Sequence, residues 1–169
     1  MNTSVDVVII GAGPSGAVAA ALLRKAGRSV LVLERQHFPR FSIGESLLPQ
    51  SMAYLEEAGM LQDVVEAGFQ YKNGAHFVYR EQASAYDFRD KHSDGWGTTF
   101  QVERAVFDDL LISRAAKQGA EVRFGHTVLE MEAGDLPALE VADEAGTQSG
   151  ACAFRARMRA VSAACCHVC

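Results

Sequence analysis

Residues 5–10, VDVVII, form a short apolar run closed by the turn sequence GAGPSG at 11–16. A run of that length, rich in β-branched residues and ended by glycine, predicts a buried strand of a parallel sheet. From 14 to 26 the composition changes to Ala, Leu and Val, with Arg24 and Lys25 near the end and Gly27 as a stop. That is the sequence form of a helix with its C-cap. A second apolar strand is predicted over 29–33, ending at Glu34.

Residues 35–49, RQHFPRFSIGESLLP, show no period and read as an irregular segment. A helix is predicted over 49–58, with Pro49 at a tolerated first-turn position and Gly59 as its stop. Residues 70–88 alternate apolar and polar positions, as in GAHFVYR and SAYDF, and predict a strand pair; 98–102 predicts another short strand. Over 104–118, Phe107, Leu110, Leu111 and Ala115 recur at helical spacing, with Gly119 beyond them. Residues 121–124, 127–132 and 139–142 predict three more strands, and there is no internal repeat or low-complexity linker. The fold class that follows is α/β: a Rossmann-like domain with inserted antiparallel strands.

The β-α-β unit places GxGxxG at the strand-to-helix turn, where a dinucleotide pyrophosphate sits on a helix N-terminus. Gly11 allows the tight turn, Gly13 lets backbone approach phosphate, and Gly16 lets helix and strand pack closely, with Pro14 and Ser15 between them. Glu34 closes the second strand, where a carboxylate accepts hydrogen bonds from a ribose diol and repels a 2′-phosphate, which disfavours NADP. The motif alone does not choose between FAD and NAD.

Composition narrows the partners. The 169 residues are 49% hydrophobic and 22% charged, as expected of an ordinary globular chain, and carry a formal charge of −5. That balance argues against a nucleic-acid surface and points to small-molecule partners. The uncharged stretch 7–23 is interrupted by Gly11, Gly13, Pro14 and Gly16, poor material for a membrane span, and Asp6 rather than basic residues precedes it. A cytoplasmic location is therefore expected. No GxSxG, Walker lysine or HExxH supports a hydrolase or NTPase reading.

Three segments together resemble the FAD-dependent monooxygenase superfamily, with the fold of p-hydroxybenzoate hydroxylase, and within it the flavin-dependent halogenase branch. They are GAGPSG with Glu34 and Arg35, FPRFSIGESLLP at 38–49, and QVERAVFDDLL at 101–111. The resemblance implies that Gly11, Gly13, Pro14, Ser15 and Gly16 hold the FAD pyrophosphate and that Glu34 holds the adenosine ribose. It further implies cofactor contacts from Arg35, Arg40, Gly44, Glu45, Ser46, Arg104 and Val128, with helix capping as an ordinary role for Glu45 and Ser46. The run Gly68-Phe69-Gln70-Tyr71-Lys72-Asn73-Gly74-Ala75 fits the GFxxKxGA pattern in which halogenases set a lysine between flavin and substrate. Lys72 is thus the expected catalytic residue, holding hypohalous acid made from halide, O2 and reduced flavin. Phe77, Tyr79, Trp96 and Phe100 are candidates for an apolar substrate pocket, or for plain core. The implied partners are a small-molecule substrate, free or carrier-tethered, and a separate flavin reductase.

The resemblance runs from about residue 5 to about residue 145. The family's later glycine-containing FAD segment, its Trp-x-Trp-x-Ile-Pro motif and the rest of its substrate sheet are absent. Residues 1–150 are accordingly read as a partial FAD-binding domain with part of the substrate-domain strands. Residues 151–169 carry no acid, three Arg and all four cysteines, Cys152, Cys165, Cys166 and Cys169. They read as an atypical tail left by a frameshift or premature stop near residue 150. Its Cys166-His167-Val168-Cys169 lacks both the following helix of a redox CxxC and the second pair of a zinc site, so no metal is expected. Two alternatives accompany the halogenase reading: an FAD-dependent hydroxylase or geranylgeranyl-reductase-like enzyme of the same fold, in which Lys72 is structural, and an inactive truncated product.

Overall fold

The computed structural model describes residues 4–132, 134 and 137–144, together with the backbone of 155–156 and 161–162. In chain order its first elements are β1 (Ser4–Val5), β2 (Val7–Ile10), α1 (Pro14–Lys25) and β3 (Val30–Leu33). Then come α2 (Gln50–Glu57), α3 (Leu61–Glu66), β4 (Gln70–Lys72), β5 (Gly74–Tyr79), β6 (Gln82–Asp87) and β7 (Thr99–Gln101). The remainder is α4 (Arg104–Lys117), β8 (Glu121–Arg123), β9 (Thr127–Glu132), β10 (Ala138–Ala142), β11 (Arg155–Ala156) and β12 (Val161–Ser162). The chain divides into two compact units, one of Met1–Arg40 with Asp108–Cys169 and one of Phe41–Phe107.

The first unit is built on a parallel sheet in the order β12-β2-β3-β8. Val7, Val8 and Ile9 of β2 and all four residues of β3 are buried, as continuous apolar runs require when both faces of a sheet are covered. Ala17, Ala20 and Ala21 of α1 are fully buried, so small side chains set a close approach of that helix. Val5, Val8, Leu31, Leu33, Leu139 and Val141 form one core cluster, with Ile10 and Val128 packed on it. The antiparallel pair β9 and β10 carries an irregularity between Glu140 and Val141.

The predicted run 5–10 is broken at Asp6, whose carboxylate accepts hydrogen bonds from the backbone N–H and the hydroxyl of Ser29, each at 2.8 Å. Val5 thus belongs to β1, which pairs in parallel with β11, while β2 pairs with β3 and β12. The cysteines of the tail lie outside the described residues.

In the second unit α2 and α3 bury Met52, Leu55 and Val64, with Met60 buried between them. The segment predicted as one strand pair over 70–88 contains three strands. Two of them, β5 and β6, form a hairpin, whereas β4 pairs antiparallel with β7. The helix α3 was not predicted.

Candidate functional site

In the first unit the glycine turn joins β2 to α1, and its glycines differ in what they require. Gly11 has φ +99° and donates its N–H to Leu33 O at 2.8 Å, so the tight turn itself demands glycine. A Cβ on Gly16 would lie 2.0 Å from Gly11 O, the close packing of helix on strand that the motif implies. Gly13 is different: with φ −66° and ψ −179° its backbone suits any residue, and a Cβ there would meet nothing nearer than Arg40 Nη2 at 3.8 Å. Neither backbone nor packing explains a glycine at 13. A bare backbone at this position is what the close approach of a phosphate to the turn requires.

Gly13 is also the N-cap of α1; no side chain caps this end, no acid lies in its first turn, and Pro14 is the first helical residue. The helix therefore presents its positive end to the turn uncompensated, as an anion site requires. The Arg40 guanidinium stands beside it, 3.5 Å from the buried carboxylate of Asp108 and 4.8 Å from the Phe38 ring. Its Nε is buried with no hydrogen-bond partner.

Glu34 is buried at the end of β3. One carboxylate oxygen accepts from Ala12 N–H at 2.9 Å and the other from Gln36 N–H at 3.0 Å. Two oxygens offer about four acceptor positions, so capacity remains for a diol after those two bonds. The uncapped helix end, the orphaned Arg40 Nε and the unfilled space over Gly13 fit the diphosphate of FAD, and Glu34 fits its ribose. Ser15 and Arg35 are exposed, and Val128 packs on the core cluster.

In the second unit Arg104 is buried and its Nη1 donates to Ile43 O at 2.5 Å, with Gly44 O at 3.5 Å. Gly44 has φ +91°, and a Cβ on it would lie 3.1 Å from that same nitrogen. Arg104 thus fixes the backbone of the segment that carries Gly44, Glu45 and Ser46. Residues 45–47 run beside β7: Val102 N–H donates to Glu45 O at 2.8 Å, Leu47 N–H donates to Phe100 O at 3.2 Å, and Ser46 bridges Gln101. Helix capping by Glu45 or Ser46 is not observed, since α2 begins after Pro49 with no side-chain cap; the segment is held as an extended edge instead.

Lys72, at the end of β4, donates from Nζ to Ser46 Oγ in a short hydrogen bond and approaches Leu47 O at 3.4 Å. The Phe88 ring centroid lies 5.2 Å from the same nitrogen, within cation–π range. Lys72 and Ser46 border an open cavity of about 820 Å³ whose walls include Phe77, Tyr86, Phe88 and Trp96. Of the four aromatics expected there, Phe77 and Trp96 line it. Tyr79 instead faces a smaller recess, and Phe100 packs edge-on against Tyr71.

Sequence reasoning missed Phe88, Asp87 and Lys91. Asp87 also borders the cavity, and its hydrogen bonds to Arg89 lower its carboxyl pKa from 3.8 to about 2. Lys91 Nζ donates to the carbonyls of Gly95 and, at 3.2 Å, Trp96. Asp108 was likewise not singled out. Among the described residues no group of three or more His, Cys, Asp or Glu is placed to hold a metal, and no helix is long and apolar enough to cross a membrane.

The family model described as an FAD binding domain matches residues 4–149. A chlorinase of 1H-pyrrole-2-carbonyl peptidyl-carrier protein from Pseudomonas fluorescens is 34% identical over 145 residues, 75% of this chain and 32% of the relative. A flavoprotein/dehydrogenase of Cytophaga hutchinsonii superposes with TM-score 0.79 at 44% identity, covering 84% of this chain and 36% of that one. The myxobacterial chondrochloren halogenase, described as a variant of FAD-dependent halogenases, gives TM-score 0.76 at 32% identity, covering 85% and 34%. The chain spans about a quarter to a third of the length of the curated relatives it matches. With a match that runs from β1 past β10, the chain belongs to the FAD-binding domain family, and FAD is its cofactor.

Proposed function

We propose that this chain is the N-terminal FAD-binding part of a flavin-dependent halogenase, with Lys72 as its catalytic residue. One observation carries the reading: the Lys72 ammonium, in the GFxxKxGA setting, is held at the border of an aromatic-walled cavity. When bound and reduced, FAD supplies with O2 the two-electron oxidation that turns halide and a proton into hypohalous acid and water. Lys72 donates a hydrogen bond to the hypohalous acid and keeps it beside the cavity. There an electron-rich carbon takes the halogen, and its proton leaves with the hydroxyl as water. Phe77, Phe88 and Trp96 give the acceptor ring apolar walls and exclude water.

On this reading Gly11, Gly13, Pro14, Ser15, Gly16 and Arg40 hold the diphosphate, and Glu34 holds the ribose. Arg104 orders Gly44, Glu45 and Ser46, while Arg35 and Val128 complete the cofactor's surroundings. Residues 1–150 are the partial FAD domain with part of the substrate-domain strands, and 151–169 are its atypical tail. The reduced flavin comes from a separate reductase in the cytoplasm, and the substrate is a small molecule, free or carrier-tethered as in the pyrrolyl relative.

The test has two steps. Titration of the purified protein with FAD, followed by flavin absorbance, should show stoichiometric binding; no binding supports the inactive-product reading. Product formation from phenol or pyrrole acceptors with FADH2, O2 and bromide or chloride should then require halide and fall at least about a hundredfold in Lys72→Ala. The similarity to a flavoprotein/dehydrogenase at 44% identity favours a second reading, a hydroxylase or reductase of the same fold. Turnover indifferent to halide and to Lys72→Ala would establish it.

A further inference from the structure

We infer that Ser46 is a positioning residue that seats the Lys72 ammonium, an inference that rests on the proposed role of Lys72. Ser46 is a cofactor contact by family resemblance, and in the structure its hydroxyl accepts a hydrogen bond from Lys72. Three extended segments lie side by side. The central one, β7, pairs through Thr99 with Lys72 on one edge and through Gln101 with Ser46 on the other. In an antiparallel register residues directly opposite share a face, and so do positions two apart on one strand. Lys72, Thr99, Gln101 and Ser46 therefore stand on one face, and the Lys72 side chain crosses the central strand diagonally to reach Ser46 Oγ.

An ammonium has three N–H donors. Ser46 Oγ and Leu47 O take two of these, and the Phe88 ring lies beside the charge. The remaining donor is left for the cavity that Lys72 and Ser46 both border. A lysine stem otherwise samples many rotamers, and a fixed seat removes that freedom before a substrate arrives. The seat is itself fixed by main-chain bonds: Arg104 holds the carbonyl of Ile43, and β7 holds Glu45 and Leu47.

The test needs neither halide nor flavin, so it stands apart from the test of halogenation. The 169-residue chain is acetylated with a trace of N-acetoxysuccinimide, and each lysine is read by peptide mass mapping, with exposed Lys117 as internal reference. Lys72 is expected to label about tenfold more slowly than Lys117 in the wild type, the size of effect one hydrogen bond to a charged group supplies. Ser46→Ala should raise the Lys72 rate to that of Lys117, and Ser46→Thr, which keeps the hydroxyl, should hold it near the wild-type value. If Ser46→Ala fails to fold, Ser46→Cys keeps the volume with a weak acceptor and should raise the rate likewise. Equal labelling of Lys72 and Lys117 in the wild type, or no change in the folded Ala or Cys variant, overturns the seat. In a halide-dependent assay Ser46→Ala should lower kcat with KM unchanged, and Ser46→Thr should restore it; a loss confined to KM also overturns it.

Discussion

The carboxylate of Glu34 accepts a hydrogen bond from the backbone N–H of Ala12 at 2.9 Å, tying the end of β3 to the middle of the glycine turn. Its other oxygen holds Gln36 N–H, and its own backbone bonds Arg123 O and His126 N–H, so one residue ties its own stretch to the glycine turn and to residues 123–126.

Glu34→Ala should therefore destabilise the protein as well as weaken FAD. It leaves the fully buried Ala12 N–H without this acceptor, a cost of about 1–3 kcal/mol. Glu34→Gln has one carbonyl oxygen for two donors and should fall between. Urea unfolding and FAD titration of both variants check the order.

The two glycines of the turn should separate folding from binding. Gly16→Ala puts a Cβ 2.0 Å from a backbone oxygen and should cost about 3 kcal/mol or more. Gly13→Ala meets nothing closer than 3.8 Å and should change stability by no more than about 1 kcal/mol, while FAD affinity falls at least about tenfold. Thermal unfolding without flavin, set beside FAD titration, distinguishes them.

Much of this was legible from the chain, and the exceptions have physical causes. The β2-α1-β3 unit announces itself because apolar runs, turn glycines and cap occur in covalent order. Helix α3, LQDVVE, is six residues long, too short for a 3.6-residue period to declare itself. The partnership of β4 with β7, and of residues 45–47 with β7, joins segments about 25 to 55 positions apart, and nothing local in either encodes the register. The same is true of side-chain bonds. Lys72 was marked by its motif, but its acceptor lies 26 residues away, and Arg104 reaches carbonyls 60 and 61 residues away. Phe77 and Tyr79 alternate as core residues do, yet both are exposed on the hairpin.

Acid should reach Asp87 late. Its pKa is held at about 2 by hydrogen bonds from Arg89, against 3.8 for an unperturbed group. Because the folded value is the lower one, the stabilising contribution is fully present above pH 3.8 and is lost as pH falls through about 2. A carboxyl-carbon NMR titration should place the Asp87 midpoint at about 2, and Arg89→Gln should return it toward 3.8.

Trp96 is the only tryptophan in the chain and borders the cavity with 38% of its surface exposed. A phenol or pyrrole entering the cavity should change its emission saturably, and Phe77→Ala should weaken that response. An emission spectrum that stays constant while the ligand is bound by another measure would remove Trp96 from the wall.

The Lys91 side chain folds back onto the carbonyls of Gly95 and Trp96, so the cavity wall from 91 to 96 is closed upon itself. Such a wall carries its own anchor within six residues. Both acceptors are main-chain carbonyls, so the side chains of Ser93, Asp94 and Trp96 can be changed without removing the acceptors of that anchor.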